Sequence, residues 1–511
     1  MLYKSLILFL FFTSCSPLPI KKRVEKKDQA NKLIKKIVPK KEIRPSVLSK
    51  PIDYSVSTEI ADSRPVQLIN GLWWGVNKSK VTQSSKKLFT MTIPKMNPPY
   101  NIVLLEKNLD RNNWTQGISI NASRPADILI DSKGYIHIIA FEPFASDEYS
   151  GKYVHYKMKN KNTIVGEYSK TDAGKFAPYN SKTSSELNYG TIYGSAAIDA
   201  SDNIYIVYNS TTSLFNNPRS CASGSVDATS PHSLTLRKFD GKSWKTEVVS
   251  NTLPVRLGYP KIVITNNYIH IASVEDEFRS DLNSDATPNA SSRTPYCKFP
   301  FIFGKIFHFS RPLLKTAWKQ TEILNIHPGK SVQEISDENM RLQDIVVSNN
   351  RVYILYKKSD PELARIIGYP YIINFFYKSS KEGSGIWTKE SRLSSKVKAP
   401  YGYIVSYAKL FVNSSGAPYV FFSGIDVDSR LSSGKNETYH VVKNLSSGAL
   451  RRQPYVVGSI LEAFSYAIFT PNNQTDGSYV GRSIQHLMLY PTNGQALKQS
   501  PQLIKLNYSE F

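Results

Sequence analysis

The chain has little cysteine, few helix-forming stretches and no long hydrophobic run. Its 3 Cys in 511 residues allow at most one disulfide. Leu/Ala-rich stretches are scarce whereas 31 Tyr and 23 Phe are present, which favours β structure. The apolar segment at residues 5–12 is too short to span a bilayer permanently. Metal-binding helix motifs, nucleophile elbows, phosphate loops and dinucleotide fingerprints are also missing, so no common catalytic class is indicated.

Positive charge is abundant but unevenly placed. The formal net charge is +24, and residues 21–50 hold ten Lys and two Arg against three acids, so 12 − 3 = +9 lies in that segment. Basic residues are not interleaved with aromatic ones, which argues against a nucleic-acid partner. Residues 15–60 are predicted to form a solvated tether, either attracted to anionic lipid or cell-wall polymer, or simply kept extended.

The amino terminus has the form of a secretory signal. Lys4 precedes the apolar segment, and the small residues Thr13 and Ser14 precede Cys15. This stretch resembles the lipobox of bacterial lipoproteins, although Phe12 stands where that family usually has Leu. The resemblance implies a signal peptide over residues 1–14, cleavage before Cys15 and acylation (palmitate) of its thiol and amine. We therefore expect a lipid anchor at the outer membrane or cell surface; the alternative is an ordinary signal peptide with an incidental Cys.

A hairpin pattern recurs along the rest of the chain. Each copy is an apolar strand, a turn rich in Asp, Asn, Ser or Gly, and a second alternating strand. The copies are ILIDSKGYIHIIAF, AAIDASDNIYIVY, KIVITNNYIHIAS, DIVVSNNRVYILY and AKLFVNSSGAPYVFF. A His or Tyr marks the second strand of each, at His137, Tyr205, His270, Tyr353 and Tyr419. The spacing of these markers, 65 to 83 residues, indicates a repeat of four strands.

Tryptophan follows the same repeat. Trp114, Trp244, Trp318 and Trp387 each follow a turn and open another strand. The unit strand, turn, strand, long loop, strand, turn, Trp-led strand predicts the blades of a β-propeller. With one blade before the first hairpin and one in 460–511, residues 61–511 give seven blades, and six or eight are alternatives. We expect residues 66–75 to close the ring; a solenoid is the rival fold.

The repeat resembles the sialidase-like β-propeller superfamily found in exported bacterial proteins. The similarity covers most of residues 80–510 and concerns the strand–DxxG–x–I/P-H-I-x-Y…W pattern, which specifies fold more than activity. The Ser-x-Asp-x-Gly-x-Thr-Trp box and the Arg-Ile-Pro motif of true sialidases are missing from the sequence.

Two loops break the repeat symmetry. The second-to-third-strand loops at residues 209–233 and 274–301 carry long insertions, which hold Cys221 and Cys297 respectively. Loops of adjacent blades share one face, so we predict a Cys221–Cys297 disulfide; two separate thiols are the alternative. Long loops on a rigid scaffold are where binding usually resides.

Three arginines precede channel strands and define a candidate ligand site. Arg124, Arg256 and Arg341 could clamp a carboxylate, as the arginine triad of sialidases does beside a Tyr nucleophile. Tyr403 or Tyr407 would be that Tyr, with Glu275 or Asp276 as its helper or acid. The competing interpretation is that these arginines brace the blades.

The remaining polar residues carry weaker predictions. Histidines that recur around the ring are expected to be structural, because a single active site needs the symmetry broken. They are His137, His155, His270, His308, His440 and His486. A weak calcium site at Asp281, Asn283 and Asp285 competes with a plain polar loop, since no Glu follows at the right spacing. No other metal or cofactor is predicted.

These observations favour a monomeric, lipid-anchored propeller whose loop-rich face binds a glycan or an envelope protein without catalysis. Two alternatives stay open. One is a carbohydrate-active enzyme, either a sialidase-like hydrolase or a propeller-type polysaccharide lyase, that acts on acidic glycans. The other is an envelope scaffold.

Overall fold

The structure is a computed structural model. Apart from gaps of one to three residues, it describes residues 56–60, 81–92, 101–167, 189–190, 194–211, 232–250, 257–278, 301–359, 373–393, 403–426, 438–454, 466–469, 484–491 and 502–507. Within the described part of the chain, no helix is long and apolar enough to cross a membrane.

The described residues form β-strands almost throughout. In chain order the strands are β1 (Val56–Ile60), β2 (Val81–Gln83), β3 (Lys87–Thr92), β4 (Asn101–Asn108), β5 (Trp114–Asn121), β6 (Arg124–Ile130), β7 (Ile136–Phe144), β8 (Asp147–Asn160), β9 (Thr163–Glu167), β10 (Tyr189–Gly190), β11 (Ser195–Ile198), β12 (Ile204–Thr211), β13 (His232–Phe239), β14 (Trp244–Ser250), β15 (Leu257–Ile264), β16 (Tyr268–Glu275), β17 (Glu277–Phe278), β18 (Phe301–Ile302), β19 (Lys305–Pro312), β20 (Lys319–Asn325), β21 (Arg341–Ser348), β22 (Arg351–Ser359), β23 (Ile373–Lys381), β24 (Ser391–Arg392), β25 (Tyr403–Val412), β26 (Pro418–Asp426), β27 (Thr438–Asn444), β28 (Leu450–Pro454), β29 (Tyr466–Phe469), β30 (Ile484–Pro491) and β31 (Gln502–Asn507).

These strands pair into seven antiparallel sheets of four or five strands and one two-stranded ribbon, β17–β18. We name the sheets blades 1 to 7. They are β2–β5, β6–β9, β10–β14, β15–β16–β19–β20, β21–β24, β25–β28 and β29–β30–β31–β1. The ribbon lies at the base of the insertion predicted over residues 274–301, and its two strands pair Glu277 with Ile302.

The first hairpin of a blade is held by a side chain that caps its turn. In blade 2, Asp131 Oδ1 accepts hydrogen bonds from the backbone N–H groups of Lys133 at 3.0 Å and Tyr135 at 2.8 Å. Gly134 has a φ of +83° there, a left-handed conformation that disfavours a side chain. Asp199 in blade 3 makes the same pair of bonds to Ser201 and Asn203. The recurring Asp-rich turn of the sequence is therefore a local capping device.

The strands of a central sheet are buried on both faces, because the sheet packs between two others. In β16 only Tyr268 is more than slightly exposed. Five buried clusters fill the spaces between successive blades, from blades 1 and 2 to blades 5 and 6. The first strands of consecutive blades also contact one another. This is the arrangement of a β-propeller, so the predicted fold is confirmed.

The chain closes through its amino-terminal strand. β1 is the outermost strand of blade 7 and pairs antiparallel with β31, with Val56 opposite Leu506 and Ile60 opposite Gln502. The strand that completes this blade thus precedes the domain start predicted at residue 61. Residues 66–75, predicted to make this closure, lie outside the described residues.

The propeller has two different faces. On the loop face, first strands begin and second strands end; on the turn face, short hairpins join first to second and third to fourth strands. Because β31 runs from the loop face to the turn face and β1 is antiparallel to it, the chain enters β1 at the turn face.

Candidate functional site

The predicted ligand residues of the described strands lie toward the loop face. Arg124, Arg341 and Tyr403 begin β6, β21 and β25, Tyr407 lies within β25, and Glu275 ends β16. Side chains are described for Arg341 and Glu275 but not for the other three. The remaining predicted residues lie outside the described residues: Cys15, Cys221, Arg256, Asp276, Asp281, Asn283, Asp285 and Cys297.

Glu275 is the buried centre of a polar cluster on the loop face. It is 0% exposed. Its Oε2 accepts a hydrogen bond from the Gly304 N–H at 2.9 Å and lies 2.6 Å from His327 Nε2. Lys305 Nζ lies 3.5 Å from the other carboxylate oxygen. The carboxylate therefore holds Gly304, the first residue of β19 and the segment after β20 against the end of β16.

Gly304 is needed where these groups meet. A Cβ added at this position would overlap the His327 ring and would lie 3.0 Å from Glu275 Oε2. His327 is held in turn by its backbone N–H, which donates to Asn325 Oδ1 at 3.0 Å. The backbone must approach the carboxylate closely, and only glycine allows this.

Arg341 contacts Phe303, the residue that precedes Gly304. Its guanidinium stacks over the ring of Phe303, 3.2 Å from the ring centroid, and donates to the Met340 carbonyl oxygen at 3.1 Å. Lys357 is the cross-strand neighbour of Arg341. Burial, together with the adjacent Arg341 charge, lowers the pKa of Lys357 to about 7. The positive charges of Arg341 and Lys357 are therefore close enough to repel each other.

We call the set Glu275, Lys305, His327, Arg341 and Lys357 the loop-face cluster. Its members are three basic side chains, one histidine and a single carboxylate. The cations and His327 are each half-buried, whereas the carboxylate is fully buried. The exposed part of the loop-face cluster is therefore electropositive, and the cluster suits an anionic ligand.

Sequence reasoning identified two of these five residues, Glu275 and Arg341. It missed Lys305, His327 and Lys357. His327 could have been found, because it has no counterpart among the repeating histidines, and broken symmetry was the criterion for a functional residue. Lys305 and Lys357 look like ordinary strand-end residues and carry no such signal.

The repeating histidines instead pack within and between blades. His137 Nδ1 lies 2.8 Å from His155 Nε2 in blade 2, and His270 Nδ1 lies 3.1 Å from His308 Nε2 in blade 4. All four are nearly or fully buried. Burial lowers the pKa of His155 and of His308 well below the ordinary value. His486 differs from His155 and His308, which lie in third strands, because it lies in the second strand of blade 7.

The repeating tryptophans cover these histidines from the next blade. Trp244 meets His155 edge-on with ring centroids 5.7 Å apart, and Trp387 meets His308 in the same way at 5.0 Å. The His and Trp positions of the repeat thus belong to one packing motif between blades. Among the described side chains, no group of three or more His, Cys, Asp or Glu is arranged to hold a metal ion.

The sequence matches no protein-family model and has no significant match among curated proteins. Solved structures with similarity to it include polysaccharide lyase Uly1, with a TM-score of 0.42, 8% identity and coverage of 84% of this chain and 90% of that chain. The α-L-arabinofuranosidase Arb93A from Fusarium graminearum has a TM-score of 0.39 and 10% identity, and the match covers 90% of this chain and 99% of that chain. The Aleuria aurantia lectin has a TM-score of 0.36 and 11% identity, and the match covers 75% of this chain and 96% of that chain. The fold assignment rests on the sheets described above.

Proposed function

We propose that this protein is an exported, lipid-anchored propeller whose loop face binds an acidic glycan without cleaving it. The observation that carries the proposal is the loop-face cluster, which combines three half-buried basic side chains with a single, fully buried carboxylate. An anion placed there would meet the basic side chains of Lys305, Arg341 and Lys357.

The chemistry of Arg341 favours a carboxylate or sulfate ligand. A guanidinium presents paired N–H donors that match the two oxygens of such a group, and stacking on Phe303 fixes its plane in advance. Lys357 lies beside it with a lowered pKa, so an anion would also favour the charged form of that lysine. Acidic polysaccharides offer such groups repeatedly along one chain, and an envelope protein meets them.

The position of Glu275 supports binding over hydrolysis. Glycosidases generally use a pair of carboxyl groups that flank the scissile bond, one of which delivers a proton to the leaving oxygen. Glu275 does not reach solvent, and its oxygens face the Gly304 N–H, His327 and Lys305. In this position it organises the cations and cannot touch a sugar.

The direction of β1 supports a lipid anchor that leaves the loop face accessible. The chain enters β1 at the turn face, so a lipid at Cys15 would draw that face toward the membrane. Several turns on this face carry an exposed lysine: Lys86, Lys133, Lys242, Lys315 and Lys381. Leu314, at the tip of one of these turns, is 99% exposed. Cations and an apolar tip suit an anionic bilayer surface.

Replacing Arg341 should weaken glycan binding. We expect Arg341→Ala to lower affinity for uronic-acid, sialylated or sulfated glycans about tenfold or more, since the loss of a charge-assisted bidentate contact is worth roughly 1.5–3 kcal/mol. Neutral counterparts of the same glycans should bind poorly to both proteins. Calorimetry with the mature chain in detergent would measure this, and product analysis would test for cleavage.

The matched control is Arg351→Ala. Arg351 belongs to the same blade but lies at the turn-face end of β22, where it donates to Ser379 Oγ at 3.2 Å. Equal losses in the two variants would contradict a loop-face site. Release of shorter oligosaccharides would contradict binding without cleavage.

The lipid anchor has a separate test. In the native host, Cys15→Ser should move the protein from the detergent-soluble membrane fraction to the aqueous fraction, because stable attachment needs the acyl chains. Mass spectrometry of the parent should find acyl groups on Cys15. An unmodified Cys15 in membrane-bound protein would remove the anchor from the proposal.

A further inference from the structure

A ring of polar residues lies inside the propeller, apart from the loop-face cluster. In blades 2 to 6 the second strand carries the His/Tyr marker. The first-strand residue that pairs with the position two residues after this marker is polar in all five blades. These residues are Asp127, Ser195, Lys261, Asp344 and Lys409, which pair with Ile139, Val207, Ala272, Leu355 and Phe421. They occupy the same level on five consecutive first strands, and first strands line the channel of a propeller. We call them the channel layer.

The charged members of this layer converge although they come from different blades. Lys409 Nζ of blade 6 lies 3.7 Å from Asp344 Oδ2 of blade 5. Lys261 of blade 4 interacts electrostatically with both of these and with Asp127 of blade 2. Groups from opposite sides of a ring can meet in this way only near its axis. Most of the layer is buried, since Asp127 is 0%, Lys261 2% and Lys409 6% exposed, whereas the Asp344 side chain is 16% exposed.

The two carboxylates already have backbone donors. Asp127 accepts a hydrogen bond from the Ala196 N–H of blade 3. Asp344 accepts one from Ile345 at 3.0 Å and another from Leu410 of blade 6, also at 3.0 Å. These bonds tie neighbouring first strands together and stabilise the negative charge of both aspartates. The two aspartates therefore connect neighbouring blades by hydrogen bonds and also interact with the lysines of the layer.

Lys261 has no such partner. Within the part of the chain that the structure describes, no atom accepts a hydrogen bond from its ammonium group. Burial lowers the pKa of Lys261 well below the ordinary value, and the neighbouring Lys409 charge lowers it further. A buried ammonium group is stable only when it is paired and hydrogen-bonded. Lys261 therefore lacks an acceptor in a position where its ammonium group lies near that of Lys409.

We propose that the channel layer binds a small inorganic anion, such as chloride, between Lys261 and Lys409. An anion accepts hydrogen bonds from both ammonium groups and removes their mutual repulsion. A water molecule would satisfy one donor but would leave the two charges opposed. A metal cation is disfavoured there, because both lysines would repel it.

Chloride should therefore stabilise the full-length protein specifically. At constant ionic strength, replacing gluconate by chloride should lower the unfolding equilibrium constant about tenfold for each tenfold rise in chloride above its dissociation constant. Lys261→Met, which keeps the length of the side chain without its charge, should abolish this dependence. Lys107→Met should retain it, because Lys107 is also buried, at 2% exposed, but lies on β4 of blade 1 outside the layer.

A direct observation removes any dependence on how the variants fold. Crystals of the parent protein soaked in bromide should show an anomalous peak between Lys261 Nζ and Lys409 Nζ. The proposal would be overturned by density for water alone at this position. It would equally be overturned if chloride had no effect on the parent or the same effect on Lys261→Met.

Discussion

Acidification from pH 7 to pH 5 should lower the free energy of unfolding of the protein, by at most about 4 kcal/mol, through two buried histidines alone. They are His155 and His308, which are 2% and 4% exposed. Burial lowers the pKa of both well below 6.5, and the neighbouring His137 and His270 respectively lower it further. Each histidine therefore takes up a proton more readily in the unfolded chain than in the fold.

The sign follows from which state binds more protons. A histidine whose folded pKa is depressed gives no penalty above the unfolded value of about 6.5, and it destabilises the fold progressively as the pH falls below that value. Glu382 acts in the same direction at lower pH. The hydrogen bond from His270 holds the pKa of Glu382 below its usual range, so its stabilising contribution is present above about pH 4.5 and disappears under stronger acid.

Urea unfolding at pH 7, 6 and 5 would measure this loss. The variant His155→Gln/His308→Gln should be less stable at pH 7 but should lose much less on acidification. Tyr205→Phe is the matched control, because Tyr205 occupies the repeat position of His137 and His270 and its hydroxyl donates to Asp199 at 2.9 Å. It should change stability by a similar amount at each pH. A steep pH dependence that survives in the double histidine variant would contradict this explanation.

Much of the propeller could be predicted because its signals are local. The capped turn at Asp131 needs only residues within four positions, and strand alternation needs only the residues of that strand. The His marker of the second strand recurs in the sequence because His137 and His270 make equivalent contacts with a third-strand histidine in blades 2 and 4. A repeat pattern thus places a residue within its blade with considerable accuracy.

The candidate site could be predicted only in part, because its contacts join distant segments. Glu275 meets His327 across 52 residues, and Arg341 meets Phe303 across a blade boundary. Periodicity indicates that such residues share a face but not which of them touch. The strand β1 was missed for another reason: its five residues follow a charged tether, and only pairing with β31 identifies them as part of a blade.

Removing the Glu275 carboxylate should strongly destabilise the protein. In Glu275→Ala, the ammonium group of Lys305, the Gly304 N–H and the His327 ring lose a common buried partner. Breaking a buried ion pair from one side typically costs about 3–5 kcal/mol, and we expect a loss of that order in chemical unfolding. Glu338→Ala is the control, since it removes a more exposed carboxylate that pairs with Lys330, and it should cost less than about 1 kcal/mol.

The variant Glu275→Gln separates the two functional hypotheses. Its amide oxygen can still accept the Gly304 N–H bond, so we expect a smaller loss of about 1–3 kcal/mol and a folded protein at room temperature. If Glu275 only organises the cations, removing its negative charge leaves the loop face more positive, and acidic glycans should bind as tightly as before or more tightly. If Glu275 instead acted as an acid in hydrolysis, the same variant would lose turnover while retaining the ligand. Weaker binding with an intact fold would contradict the electropositive loop face on which the proposed function depends.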